Sequence, residues 1–139
     1  MPRIARKIRV GAVVLLLAVT GCADRKSEVT GRVSYKGKPL VFGTITFAPK
    51  GATAGPTSAE IRPDGTYSVL GLPPGPVQIG VFSPDPKIPR ETKNGKELWP
   101  TAADRNAWFP IPSQYNQPFS SGLDIVLTPG QNTHDVDLK

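Results

Sequence analysis

The sequence predicts an all-β sandwich, and three observations carry that prediction. Short segments in which apolar and polar residues alternate recur along the chain from residue 28 onward. Pro, Gly and Thr residues separate these segments, and the chain holds 16 prolines, many at intervals that would interrupt a helix. Residues 22–139 have the length of one domain with a real core. Alternating apolar and polar residues, interrupted by Pro, Gly and Thr, are typical of short strands joined by tight turns.

The first half of this region predicts three strands. EVTGRVSY (28–35) places apolar residues on one face and polar residues on the other, as period-2 geometry requires. KGKP (36–39) is predicted as a turn, because glycine accepts positive φ and proline cannot continue a ladder. GTITFAP (43–49) and TSAEIR (57–62) are the next two strands. The residues expected on the core face are Val29, Gly31, Val33, Tyr35, Ile45, Phe47, Ala59 and Ile61.

Four more strands follow, which brings the predicted total to seven. PDG (63–65) is predicted as a hairpin turn that returns the chain into TYSVL (66–70). GLPPG turns it again into PVQIGVFS (76–83). GLDIVLTPGQNTHDVDL (122–138) is predicted as a final hairpin with its turn at PGQN. The residues expected to face inward or to share a face are Tyr67, Val69, Val77, Ile79, Val81, Leu123, Ile125, Leu127, His134, Val136 and Leu138.

The first 21 residues predict a secretory signal. Arg3, Arg6, Lys7 and Arg9 precede an uncharged apolar run at residues 10–19. A membrane-spanning helix needs about 20 apolar residues, so this run is too short to span and suits the h-region of a signal peptide. The sequence therefore predicts that residues 1–21 direct export and are removed.

The stretch VTGC ends this leader and resembles the lipobox of bacterial lipoproteins, although Val19 stands where Leu is usual. The resemblance implies cleavage before Cys22, a thioether-linked lipid on that cysteine and usually a further acyl chain such as palmitate, with residues 22–27 as lipidated cysteine and tether. It implies a partner, the membrane, and a location on the periplasmic side of the inner or outer membrane. An ordinary secretory signal with a bystander cysteine is the alternative.

The mature region carries a second resemblance. VTGRVSYKGKPLVFGTITFAP, PDGTYSVLGLPPGPVQIGV and IPSQYNQPFSSGLDIVLTPGQNTHDVDL resemble the carboxypeptidase regulatory-like, or transthyretin-like, domains of small bacterial lipoproteins. The match covers about residues 28–83 and 111–139. It implies one seven-stranded transthyretin-like or immunoglobulin-like sandwich over residues 28–139. These motifs describe strands and turns, so they imply a binding or structural module and no particular activity.

Composition argues against nucleic-acid binding. The formal net charge is +6, but four of the 17 basic residues lie in the leader, so 13 basic residues face 11 acidic ones after it. The region holds no basic cluster interleaved with aromatic residues, and phosphate binding depends on such charge. We therefore expect no nucleic-acid partner.

The residues for catalysis or metal binding are also few. With one histidine and one cysteine in the chain, a zinc peptidase site cannot be assembled. A Ser–His–Asp triad would have to use His134, which is expected to be packed. A transthyretin-like hydrolase is the remote alternative, but the ureide hydrolases of that fold need several histidines and a Tyr-Arg-Gly-Ser ending, whereas this chain ends DVDLK. Calcium at Asp124, Asp135 and Asp137 is conceivable, but a solvated face is favoured. No catalytic residue, metal or cofactor is predicted.

The remaining candidate is residues 84–121, a connection of 38 residues with seven prolines and both tryptophans. Connections of this length are often functional. One interpretation is an aromatic platform for sugars or a partner chain; the other is that the aromatics fold back and close the sandwich. The platform's candidate residues are Trp99, Trp108, Phe109, Arg90 and Arg105, and Tyr115 and Ile111 are expected to be buried.

The sequence therefore predicts a non-catalytic, membrane-anchored module of the cell envelope. A carbohydrate-binding module would expose aromatic residues in 84–121 and bind envelope polysaccharide. A structural module would bury the tryptophans and pair with another envelope protein through an open strand edge.

Overall fold

The computed structural model describes residues 25–51, 53–88, 90–91, 97–98 and 106–139, which are all-β with almost no helix. No helix among these residues is long and apolar enough to cross a bilayer. They form eleven strands and one 3₁₀ helix, Ser113–Asn116. The strands are β1 (Ser27–Tyr35), β2 (Lys38–Pro39), β3 (Thr44–Pro49), β4 (Thr57–Glu60), β5 (Thr66–Leu72), β6 (Gly75–Phe82), β7 (Arg90–Glu91), β8 (Glu97–Leu98), β9 (Leu123–Leu127), β10 (Gly130–Thr133) and β11 (Val136–Leu138).

The all-β prediction is confirmed, but the predicted count of seven strands is too low. Three two-residue strands, β2, β7 and β8, are too short to give a period in the sequence. The second arm of the predicted final hairpin is divided into β10 and β11. Ser27, which was expected in the tether, is the first residue of β1.

The first sheet is centred on β1. β5 and β2 run antiparallel along one side of it. β10 and β11 run parallel along the other side and keep one register, from Ser27 opposite Gly130 to Tyr35 opposite Leu138. Residues 130–138 are therefore one extended run, interrupted at His134 and Asp135.

The second sheet has the order β4-β3-β6-β9, with every neighbouring pair antiparallel. Buried and partly exposed residues alternate along its strands as the sequence predicts, since Ile45, Phe47 and Ile79 are fully buried while Thr46 and Gln78 are not. β4 and β9 form its edges within the described residues. β7 and β8 pair with each other in a separate two-stranded ribbon.

Three predicted turns connect the two sheets. The PDG turn leads from β4 in the second sheet to β5 in the first, GLPPG leads from β5 to β6, and PGQN leads from β9 to β10. The predicted hairpins at PDG and PGQN are therefore wrong. Pro, Asp and Gly specify that the chain reverses, but they do not specify which strand it then pairs with.

KGKP forms a two-residue hairpin turn between β1 and β2. Lys36 and Gly37 both have positive φ, 51° and 78°, as a type I′ turn requires. Pro39 lies in β2 opposite Ser34, so the prediction that it cannot continue a ladder was wrong. The Leu40 N–H donates to the Val33 carbonyl at 3.0 Å, so the pairing alternates and Pro39 falls where no N–H is needed.

The core lies between the two sheets and contains most of the residues predicted to face inward. Tyr35, Ala59, Leu123 and Ile125 pack against it while partly exposed. The fully or nearly fully buried apolar residues are Val29, Val33, Leu40, Ile45, Phe47, Ile61, Tyr67, Val69, Leu72, Val77, Ile79, Val81, Tyr115, Leu127, Val136 and Leu138.

Candidate functional site

The direction of β1 defines the two ends of the sandwich. Its nine residues run from Ser27 to Tyr35, and at about 3.3 Å per residue they cover roughly 25–30 Å. Ser27, the last residue of the predicted tether, lies at one end, whereas Tyr35 and the KGKP turn lie at the opposite end. The long connection leaves β6 at Ser83, at that same far end, because Ser83 hydrogen-bonds to Trp108 and the neighbouring Phe109 stacks on Tyr35.

A group of aromatic and basic side chains occupies this far end; we refer to Tyr35, Lys36, Lys38, Trp108 and Phe109 as the aromatic end. The rings of Tyr35 and Phe109 stack with centroids 6.3 Å apart. The Lys38 ammonium group lies 4.5 Å from the Phe109 centroid, and that of Lys36 lies 5.2 Å from the Tyr35 centroid. Both are within the range of cation–π attraction.

Trp108 is held at the same end by its polar edge. Its indole Nε1–H donates to Ser83 Oγ at 3.1 Å and lies 3.3 Å from the Ser83 carbonyl oxygen. The Ser83 hydroxyl in turn donates to the Phe42 carbonyl at 2.6 Å. Trp108 is half-buried and its single donor is satisfied, so this tryptophan closes the sandwich at least in part.

Tyr115 and Ile111 return from the long connection to the core, as expected. Tyr115 is 6% exposed, and Ile111 packs against the core. The Tyr115 hydroxyl donates to the Lys139 carbonyl at 2.9 Å and accepts the Lys139 N–H at 3.1 Å. This exchange secures residues 113–116 against the end of the last strand.

The predicted platform is described only in part. Trp108 and Phe109 are half-buried and engaged with neighbours, which is the arrangement expected of aromatics that fold back. Arg90 lies in β7, but its side chain is outside the described part of the structure, as are Trp99, Arg105 and the predicted lipidation site Cys22. The platform stays a prediction at these positions. Lys36 and Lys38 were missed, although a basic turn directly after Tyr35 is visible in the sequence.

His134 and Asp135 interrupt the parallel run beside β1. The His134 N–H donates to the Thr30 carbonyl at 2.9 Å, as in a ladder, but the Arg32 N–H donates to Asp135 Oδ1 at 2.9 Å. The His134 carbonyl instead accepts the Tyr67 hydroxyl. Burial, reinforced by the negative charge of Asp135, raises the pKa of Tyr67 well above its ordinary value, so the hydroxyl remains a donor.

The carboxylates weighed as a calcium site lie apart. Asp124 is on β9 of the second sheet, where it pairs with Lys50 at 2.9 Å, so its predicted place on a hairpin beside Asp135 and Asp137 is wrong. Asp137 Oδ1 accepts the Ser34 hydroxyl at 2.9 Å. No three His, Cys, Asp or Glu side chains in the described ranges gather as metal ligands would.

The free energy of unfolding is expected to decrease as pH falls, because of the protonation of His134. Burial lowers the pKa of this histidine below its ordinary 6.5, while Asp135 opposes the shift. As pH falls, the histidine of the unfolded chain therefore binds a proton before that of the folded chain. The contribution of neutral His134 to the free energy of unfolding is present above about pH 6.5 and is lost as pH falls through the pKa of His134 in the folded state. Between pH 7.5 and pH 5.5, the melting temperature of the wild type should drop more than that of His134→Gln. Equal drops would contradict the assignment.

No protein-family model and no curated protein sequence matches the chain. Solved structures of DUF3823 family proteins are similar: that from Parabacteroides merdae is 18% identical with a TM-score of 0.45, and that from Bacteroides ovatus is 17% identical with a TM-score of 0.44. The matches cover 83% and 81% of this chain but 46% and 43% of those chains.

The major pilin subunit of Bacillus cereus, BcpA, is also similar, at 7% identity and a TM-score of 0.42 over 83% of this chain and 31% of that chain. This chain thus spans less than half the length of these three structures.

Proposed function

We propose that the protein is an exported lipoprotein whose β-sandwich is held at the membrane by a lipid on Cys22 and acts in the cell envelope as a non-catalytic binding or structural module. One observation supports the arrangement most directly: β1 begins at Ser27, the last residue of the predicted tether, and runs the length of the sandwich. A tether on Cys22 therefore holds one end of the domain near the bilayer.

The tether between Cys22 and Ser27 is short. Residues 23–26 extend to at most about 14 Å, at roughly 3.3–3.6 Å per residue. Ser27 is already part of the folded domain, because its hydroxyl donates to the Thr128 carbonyl at 2.8 Å. The tethered end would therefore lie close to the headgroups, and the aromatic end, with its two lysines, would face away from the bilayer.

Replacing Cys22 tests the anchor. In the Cys22→Ser protein we expect the acyl mass to disappear and the protein to move from the detergent-rich to the aqueous phase, because stable anchoring requires acyl chains. The measurement is mass spectrometry together with detergent phase partitioning of expressed full-length protein.

Val19→Leu is the matched control, since it keeps the cysteine and restores the usual first residue of the lipobox; it should remain lipidated. A Cys22→Ser protein that kept the acyl mass would refute the anchor. A wild-type protein that was exported but never lipidated would establish the ordinary secretory signal instead.

The two forms of the module differ in the surface they use. A sugar platform in residues 84–121 would depend mainly on Trp99, Arg90 and Arg105, since Phe109 already contacts Tyr35 and Lys38. An assembly module would use a strand edge, and the side chain of Val126 on edge strand β9 is 72% exposed. Half-burial of Trp108 favours the second form over a platform built on that residue.

A further inference from the structure

The outer face of the first sheet contains an open depression that none of the predictions from sequence used. Its volume is about 530 Å³, and it is lined by Thr30, Gly31, Arg32, Arg62, Thr66, Tyr67, Ser68 and Asp135. Thr30 lies opposite Ser68, and Arg32 lies opposite Thr66, in the β1–β5 ladder. Short hydroxyl side chains therefore form the floor, and longer charged side chains form the rim.

Most guanidinium N–H donors of the two arginines at the rim have no hydrogen-bond partner within the described ranges. The Arg32 guanidinium group makes no hydrogen bond or ion pair within the described ranges. The only such contact of Arg62 is a long one, from Nη1 to Thr66 Oγ1 at 3.4 Å. Both residues are exposed. Two guanidinium groups thus stand at one depression with most of their N–H donors unused.

The nearby carboxylates are engaged by other groups. Asp64 Oδ1 accepts the Thr66 N–H at 3.0 Å and the Thr66 hydroxyl at 2.6 Å, and these hydrogen bonds hold the pKa of Asp64 below its usual value. Asp135 Oδ1 accepts the Arg32 backbone N–H. Neither acid lies within ion-pair distance of Arg32 or Arg62, although the charge of Arg32 also contributes to the lowered pKa of Asp64. Both guanidinium groups therefore keep N–H donors for an anion from outside, and their two positive charges must outweigh the single negative charge of Asp135 at the rim.

The floor has the complementary chemistry for a polyol. The hydroxyls of Thr30 and Ser68 make no hydrogen bond within the described residues, and a hydroxyl can both donate and accept. Guanidinium groups bind carboxylates through two parallel N–H···O bonds.

We infer that this depression binds a carboxylate-bearing sugar, with Arg32 and Arg62 on the carboxylate and the Thr30 and Ser68 hydroxyls on the sugar hydroxyls. Uronate residues of acidic polysaccharides have this chemistry. The inference deepens the proposed binding role by naming a ligand class and a surface. It does not depend on the Cys22 anchor, because the site lies entirely within the folded domain.

Calorimetric titration of the full-length protein in neutral detergent tests the site, with trigalacturonate as the probe. We expect saturable binding that weakens about tenfold in each of Arg32→Gln and Arg62→Gln, as loss of a hydrogen bond to a charged group implies. Lys87→Gln, which removes one exposed positive charge away from the depression, should bind like the wild type. Melting curves of the arginine variants should stay unchanged, because both side chains are exposed.

Three results would overturn the inference. Absence of saturable trigalacturonate binding would remove the site. Equal binding of neutral maltotriose would remove the need for the carboxylate, and equal binding of inorganic sulfate would remove the need for the sugar. Undiminished binding in both arginine variants would place the ligand elsewhere and refute the site as well. None of these results alters the partitioning of Cys22→Ser, so the anchor and the binding site stand or fall separately.

Discussion

Gly31→Ala is expected to destabilise the domain by about 3 kcal/mol or more, because the position has no room for a side chain. A methyl group at Gly31 would overlap the His134 carbonyl group and lie 3.1 Å from Tyr67 Cε1. That carbonyl cannot withdraw without loss of the Tyr67 hydroxyl hydrogen bond and of the neighbouring His134–Thr30 ladder bond. The urea midpoint of the variant should fall sharply while the m-value stays near that of the wild type.

Gly55→Ala is the matched control for this substitution. Gly55 has no atom within 4 Å of an added Cβ, and its φ is not in the left-handed region. Its stability should change by less than about 0.5 kcal/mol, as for most surface substitutions. If both variants unfolded at the same urea concentration, the close approach of residues 130–138 to β1 at Gly31 would be wrong.

Phe47→Ala is expected to cost about 3–5 kcal/mol, the usual range for removal of a buried aromatic side chain. Phe47 is 0% exposed, and its ring lies 5.8 Å from that of Tyr67, so it joins β3 of one sheet to β5 of the other. The cavity left behind would separate the two sheets at the centre of the core. Equilibrium urea unfolding measures the loss.

Phe119→Ala provides the comparison, because the same atoms are removed from a side chain that is 76% exposed. It should unfold within about 0.5 kcal/mol of the wild type. A similar loss in both phenylalanine variants would mean that Phe47 does not occupy the interface between the sheets.

The longer strands, such as β1, β3, β5 and β6, could be predicted from local sequence because one face of each is buried. Val77, Ile79 and Val81 are buried at every second position of β6, and an apolar period of two residues indicates a strand with one face in the core. The same pattern placed Val29, Val33, Ile45 and Phe47 in the core correctly. Alternation therefore identified what each side chain faces without any knowledge of the partner strand.

Pairing between distant segments could not be predicted in the same way. β1 pairs with residues 103 positions later in parallel, as Ser27 with Gly130 and Val33 with Val136. The PGQN turn looks like a hairpin turn because its residues favour reversal, whether the chain then pairs with the preceding strand or crosses to the other sheet. The interruption at His134 depends on a tyrosine hydroxyl from β5, which no local pattern contains.

The aromatic end shows the same limit for a site. The aromatic content of residues 84–121 was visible, but Phe109 stacks on Tyr35, which lies 74 positions earlier in the chain. Lys36 and Lys38, which contact these two rings, lie in the KGKP turn, and the sequence indicated only that this segment ends a strand. The arginine depression likewise combines residues of β1 and β5 with Arg62 and Asp135, and none of these segments carries a recognisable motif by itself.

The parallel pairing of β1 with residues 130–138 also determines the order in which the molecule can fold. β1 is synthesised before these strands and must wait for them before its second edge is covered, and closing so long a loop is slow. Until then β1 exposes unpaired backbone groups to other chains. The domain is thus suited to folding after its whole chain has been delivered, and a truncated chain would retain an open, aggregation-prone edge.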